Sequence, residues 1–168
     1  KKQSDAIRAQ QQSFLQTWAD AFCDRDGAAI DSLCMDGARK KMMKEQLLVI
    51  DEGDTIFGWS SPWPMWDTSD ENSKGYTITT SYDGKNTAEI LYYAWTSDPH
   101  VTVWKEDITF EERDGSYKVT DENIRFLDYI VSGTEFDEAY PQINGTPMDY
   151  TVNGMYDALV MNSLLSNS

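Results

Sequence analysis

The residue in this sequence best placed for acid–base chemistry is Glu106. It lies in the run Trp104, Glu106, Ile108, Phe110. Alternate positions of an extended strand share one side, so a single carboxyl interrupts an otherwise apolar face. A carboxyl held in apolar surroundings rises in pKa and can act as a general base. The competing reading is structural, because charges are buried only when a cation, a tyrosine hydroxyl or nearby water compensates them. No second polar catalytic group stands at a defined spacing from Glu106, and Asp107 and Glu89 make weaker bases on the same argument. No residue is therefore assigned as catalytic.

Trp59, Trp63 and Trp66 fall within eight residues and are interrupted by Pro62 and Pro64. Such a cluster could form an aromatic platform for a sugar ring or a peptide, or plug the open end of a fold, since large aromatics supply core area. With Tyr93, Trp104 and Glu106 these residues make up the candidate ligand-binding set. His100 follows Asp98 and Pro99 at an expected hairpin tip and reads as a turn residue. Asp24, Asp26 and Asp31 lack the ligand order of a calcium-binding loop, and Asp26 is better used as a helix cap. One histidine and two cysteines give no metal-ligand set, and no cofactor is expected. Cys23 and Cys34 straddle an expected helix–helix turn, which leaves a disulfide between them and a pair of buried free thiols as equal alternatives.

The elements that must position these residues are legible from spacing. Ile7, Phe14, Leu15, Trp18, Ala21 and Phe22 recur at helical period, predicting a long amphipathic helix from Asp5 to Cys23. Asp24-Arg25-Asp26-Gly27 breaks it. Asp26 then caps a short helix carrying Ala29, Ile30, Leu33 and Cys34, and a third helix is expected from Ala38 to Leu48 with Met42, Met43, Leu47 and Leu48 inward. The segment from Asp51 to Gly75, rich in Gly, Pro and Ser, reads as loop or edge backbone.

After Gly75 the period changes to two. Tyr76–Tyr82, Thr87–Thr96, Val101–Glu112 and Ser116–Leu127 are strands joined at Asp83-Gly84, Asp98-Pro99 and Asp114-Gly115, an antiparallel meander. The second has apolar groups on both faces, as a strand covered on both sides requires. Beyond it a short helix is expected over Thr134–Tyr140, a loop with the sequon Asn144-Gly145-Thr146, and a terminal helix over Asn153–Leu165. The tail from Thr151 onward could belong to a further unit. The expected division is an α+β domain over 1–140 and a C-terminal extension over 141–168.

The 168 residues carry 14 basic and 29 acidic side chains, for a formal charge of -15. So acidic a surface repels phosphate backbones and anionic headgroups, which excludes nucleic acid as an expected partner. The 40% hydrophobic content suffices for one core. No apolar run reaches the ~20 residues that span a bilayer, so this stretch is not expected to insert into a membrane. The start at Lys1-Lys2-Gln3 suggests a mature fragment whose targeting segment has been removed.

The phrase Phe14-Leu15-Gln16-Thr17-Trp18-Ala19-Asp20-Ala21-Phe22 running into Asp24-Arg25-Asp26-Gly27-Ala28-Ala29-Ile30, followed by the meander, resembles the opening of the nuclear-transport-factor-2-like superfamily. That resemblance implies a cone in which N-terminal helices pack on a curved antiparallel sheet of about four strands. A narrower one is carried by Gly58–Pro64, Ala88–Trp104 and Ile143–Tyr150. These stretches look like the extracytoplasmic part of Gram-positive gut-bacterial regulators that carry a membrane-embedded metalloprotease module related to the β-lactam-sensing antirepressor. It implies a sensory or scaffolding ectodomain at the cell surface, tethered through a transmembrane segment elsewhere in its parent. The protease's His-Glu-x-x-His helix and the sensor signature Ser-x-x-Lys are absent from these 168 residues, so neither activity carries over. The expected partner is a small molecule, a cell-wall fragment or a peptide, and a homodimer is compatible with the reading.

Overall fold

The computed structural model describes residues 2–59, 63–64, 75–81, 86–95 and 101–130. Among these are three helices, α1 (Lys2–Cys23), α2 (Gly27–Leu33) and α3 (Asp36–Lys44). Seven strands follow: β1 (Leu48–Asp51), β2 (Asp54–Phe57), β3 (Trp63–Pro64), β4 (Tyr76–Thr80), β5 (Thr87–Trp95), β6 (Val101–Arg113) and β7 (Ser116–Ile130). The fold class is α+β, with β1 and β2 as one antiparallel sheet and the other strands in a second, ordered β3-β5-β6-β7 with β4 also paired to β5. The links from β4 to β5, β5 to β6 and β6 to β7 are too short for parallel crossovers, so the four expected strands form the meander. The helices expected after residue 130, the Asn144 sequon and His100 lie outside the described residues.

The chain divides into two compact units. The first comprises Lys1–Ser60, Ile78–Ile90 and Glu106–Ile124. Here α1 buries Leu15, Trp18, Ala19 and Phe22, the i, i+3, i+4, i+7 stripe of an amphipathic helix. Ile7, expected on that stripe, is 45% exposed, because the buried face of α1 begins only at Leu15. Ile30 from α2, Met42 from α3, and Leu47 and Leu48 complete the helical side of this core, each contributing roughly 1.5–3 kcal/mol by leaving water. Ile90, Ile108, Phe110 and Val119 supply the strand side.

Both longer helical segments end in the same way. Arg25 takes a left-handed φ of 59°, its N–H donates to the Phe22 carbonyl at 3.1 Å, and the Asp26 N–H donates to Ala21 at 2.9 Å. Gln46 repeats this with φ 62°, bonding Met43 at 3.1 Å while Leu47 N–H reaches Met42 at 2.9 Å. These are Schellman closures built on non-glycine residues. Gly27, the obvious breaker in the sequence, has another role: a Cβ there would lie 2.3 Å from the Ile56 backbone carbon, so its bareness lets α2 approach β2. Asp26 caps α2 as expected, accepting from the Ala29 N–H at 3.1 Å.

One expectation for this region is corrected and another is made specific. The third helix stops at Lys44, and Leu48 opens β1, whose β-branched Val49 and Ile50 favour extended backbone. The segment after Asp51, read as loop or edge backbone, begins with a tight hairpin, because Glu52 (φ 49°) and Gly53 (φ 87°) supply the positive dihedrals of a two-residue turn. Asp114 (φ 53°) and Gly115 (φ 82°) do the same between β6 and β7, as the dipeptide predicts.

The second unit comprises Ser61–Thr77, Leu91–Lys105 and Arg125–Ser168. In it β3 pairs antiparallel with β5 through Trp63↔Trp95 and Pro64↔Ala94. The Tyr93 N–H donates to the Gly75 carbonyl at 3.1 Å, and Tyr76 and Tyr92 meet ring to ring at 6.4 Å. Tyr92 and Tyr93, adjacent and therefore on opposite faces, are both buried, which is the two-sided covering expected of β5.

Candidate functional site

Glu106 is fully buried in the first unit, and its Oε1 accepts the Trp18 Nε1–H at 2.9 Å. The helical stripe of α1 places Trp18 inward, and two-residue alternation along β6 turns Glu106 inward with Ile108 and Phe110. The apolar face expected from sequence is thus a core face, and an indole donor provides part of the compensation that a buried carboxyl requires.

A second buried carboxyl, Glu122 on β7, was not singled out by sequence reasoning. It lies within hydrogen-bonding reach of Glu106, and burial first, then the charge of Glu106, push its pKa up to about 11. As carboxylates the two are acceptors only, so neither can donate to the other until one is protonated. The alternation of β7 hides this residue. Continued from Val119, which is buried, it would turn Asp121 and Asn123 inward, yet both are exposed and Glu122 is buried. Two inward residues three positions apart require a break in strand parity, of the kind a bulge provides. The available signal was the apolar spacing of Tyr117 and Val119 against Ile124, which does not fit one unbroken two-residue period.

The neighbouring elements fix β7 at this point. The Met35 N–H donates to the Val119 carbonyl at 2.9 Å, and Cys34 forms a parallel bridge with Val119, so the link between α2 and α3 pairs with the strand just before the parity shift. Lys41 on α3 pairs with Asp121 at 3.2 Å.

The other expected ligand-binding residues are distributed between the two units and the residues outside the description. Trp59 is half-buried and stands edge-on to Phe22 (6.3 Å, 83°) and Phe57 (6.4 Å, 80°), within a cluster that also holds the Arg25 guanidinium 4.9 Å from the Phe57 ring centre. Trp104 belongs to the second unit, where it meets Phe126 edge-on at 5.6 Å, and Tyr93 is buried in that same unit. Trp63 contributes backbone to β3, while its side chain and all of Trp66 lie outside the described residues. The expected aromatic platform of Trp59, Trp63 and Trp66 thus lies largely outside the described residues.

On the opposite side of the sheet, in the first unit, a shallow hollow of about 420 Å³ is lined by Thr79, Thr87, Glu89, Asp107, Thr109 and Asp121 among others. Glu89 and Asp107, the weaker base candidates, thus face away from Glu106. Among the described residues no group of His, Cys, Asp and Glu is arranged to hold a metal. Of the three aspartates weighed for calcium, Asp26 caps α2 and Asp31 is ion-paired with Arg39.

Both cysteines are free and buried. The Cys34 Sγ–H is directed at the Asp31 carbonyl, 3.4 Å away, in a residue whose extended backbone is bridged to Val119. Burial pushes its pKa up to about 11, and burial also raises Cys23 well above the ordinary thiol value. Thiols so placed are protonated and unreactive at neutral pH.

No family model, no curated protein and no solved structure matches the chain. Among the described residues no helix is long and apolar enough to cross a membrane.

Proposed function

We propose that this chain is a non-catalytic ligand-sensing or protein-interaction module, built as a nuclear-transport-factor-2-like cone and displayed outside the cytoplasm by a membrane-tethered parent. The carrying observation is the state of Glu106. The best-placed base in the sequence is sealed from solvent and bonded to Trp18 inside a core. A general base must come within hydrogen-bonding reach of its substrate, and here that position is filled by the protein itself. The order of three helices followed by a meander supports the cone, and Gly58–Pro64, Ala88–Trp104 and Ile143–Tyr150 support the cell-surface setting.

A second reading, a small-molecule isomerase or lyase with Glu106 as base, draws on the raised pKa of Glu122 beside it. Perturbed carboxyl pairs are common where acid–base chemistry is done. One screen tests both. Thermal denaturation of the purified chain is followed against a panel of small metabolites, cell-wall fragments and short peptides. A ligand that binds only the folded state stabilises it by about 2.7 kcal/mol at one hundred times its dissociation constant. A compound that raises the midpoint and is recovered unchanged supports the sensing module. A compound turned over by the wild type and not by Glu106→Gln replaces that reading with the enzyme. No shift across the panel counts against a small-molecule or peptide ligand and leaves a structural spacer.

A further inference from the structure

The buried carboxyl pair has a consequence that does not depend on the reading above. Glu106 and Glu122 are both fully buried and within reach of each other, and neither oxygen of Glu122 receives a hydrogen bond from any described residue. Two adjacent anions in that setting carry both a desolvation cost and mutual repulsion.

Among the described residues the charges acting on Glu122 offset this only in part, through Lys41. From α1 come the Trp18 indole, which donates to Glu106, and the Cys23 thiol, itself raised by burial and by nearby acidic charges that include Glu106. From α3 and its end come Lys41, already paired with Asp121, and Glu45, whose charge adds to the repulsion. The buried residues that α2 and β5 add to this unit, Gly27, Ile30, Ala88 and Ile90, carry no titratable group. A proton on the pair removes one of the two charges and with it the mutual repulsion.

We propose that the folded protein holds one proton on the Glu106–Glu122 pair at neutral pH and releases it only on unfolding, so that folding is coupled to proton uptake. Trp18 decides where the proton resides. Its N–H favours the ionised form of Glu106, so the proton sits on Glu122 and donates across to Glu106. The raised pKa of Glu122 accords with this placement. The chain then carries one negative charge fewer than its formal -15.

The sign of the pH dependence follows. The folded pKa lies above the ordinary value of 4.5, so the contribution of the pair is full below about 4.5 and is lost progressively as pH rises towards about 11. Within that window one extra proton on the folded state makes the folding constant fall about tenfold per pH unit.

Two measurements on the whole chain, with thiols kept reduced, test the proposal. Infrared spectroscopy at pH 8 should show the carbonyl stretch of an un-ionised carboxyl in the folded wild type, and that band should vanish on unfolding in urea at the same pH. Its absence from the folded protein overturns the proposal. Equilibrium urea denaturation between pH 6 and pH 9 should show the wild type losing about tenfold more in folding constant per pH unit than Glu122→Gln, which keeps the shape and needs no proton. Parallel profiles overturn it as well. Should Glu122→Gln fail to fold, the infrared band of the wild type decides alone.

Discussion

Replacing Trp18 by Phe isolates the hydrogen bond that holds Glu106. Phenylalanine keeps an aromatic ring on the buried stripe of α1 but removes the Nε1–H that lies 2.9 Å from Glu106 Oε1. A hydrogen bond to a charged group contributes about 1.5–3 kcal/mol, whereas a neutral one contributes about 0.5–1.5 kcal/mol. The smaller ring adds on the order of 1 kcal/mol for lost contact and incomplete repacking. Trp18→Phe should therefore cost about 3 kcal/mol, which for a chain of this length lowers the melting midpoint by about 6–12 °C. In a Glu106→Gln background the acceptor is neutral and the same substitution should cost about 2 kcal/mol. Equilibrium urea denaturation of the four proteins, at one pH and with unchanged slopes, gives the coupling of about 1 kcal/mol directly. If Trp18→Phe costs the same in both backgrounds, Glu106 is not an ionised acceptor. A cost below about 1 kcal/mol in the wild type would refute the bond itself.

Further expectations concern the framework around the site. Gly27→Ala, favourable by about 1 kcal/mol in an ordinary helix, should here destabilise by about 2–3 kcal/mol in chemical denaturation, because the added Cβ meets the Ile56 backbone at 2.3 Å. Gln46→Gly should raise the melting midpoint by a few degrees, since Gln46 is exposed at φ 62° and glycine adopts that conformation without the ~1–2 kcal/mol penalty of a side chain. In the native protein neither Cys23 nor Cys34 should react with a thiol reagent at pH 7 on the timescale of the unfolded control. Labelling of Cys34 should accelerate roughly tenfold per pH unit as the solution approaches about 11, where its thiolate becomes the major form. Fast labelling at neutral pH would show that the thiol is not buried as described.

The elements whose apolar residues repeat at a fixed period were legible from the chain alone. Leu15, Trp18 and Phe22 declare the inward face of α1, and Asp114-Gly115 declares the turn between β6 and β7, because periodicity and turn dihedrals are local properties that neighbours in sequence determine. Glu106 was legible on the same ground, as the one polar position on an apolar face. What tertiary structure decided is what those local rules meet in space. Arg25 rather than Gly27 took the left-handed position, because Gly27 was needed where α2 touches β2. Leu48 left the third helix for a hairpin whose pairing partner lies beyond the next turn. Glu122 turned inward because β7 breaks its alternation after Val119, where the α2–α3 link pairs with it, and no two-residue count within the strand registers a contact made by residues some eighty positions earlier. The buried carboxyl pair is thus half written in the strand pattern of β6, while its other half exists only once the helices have docked.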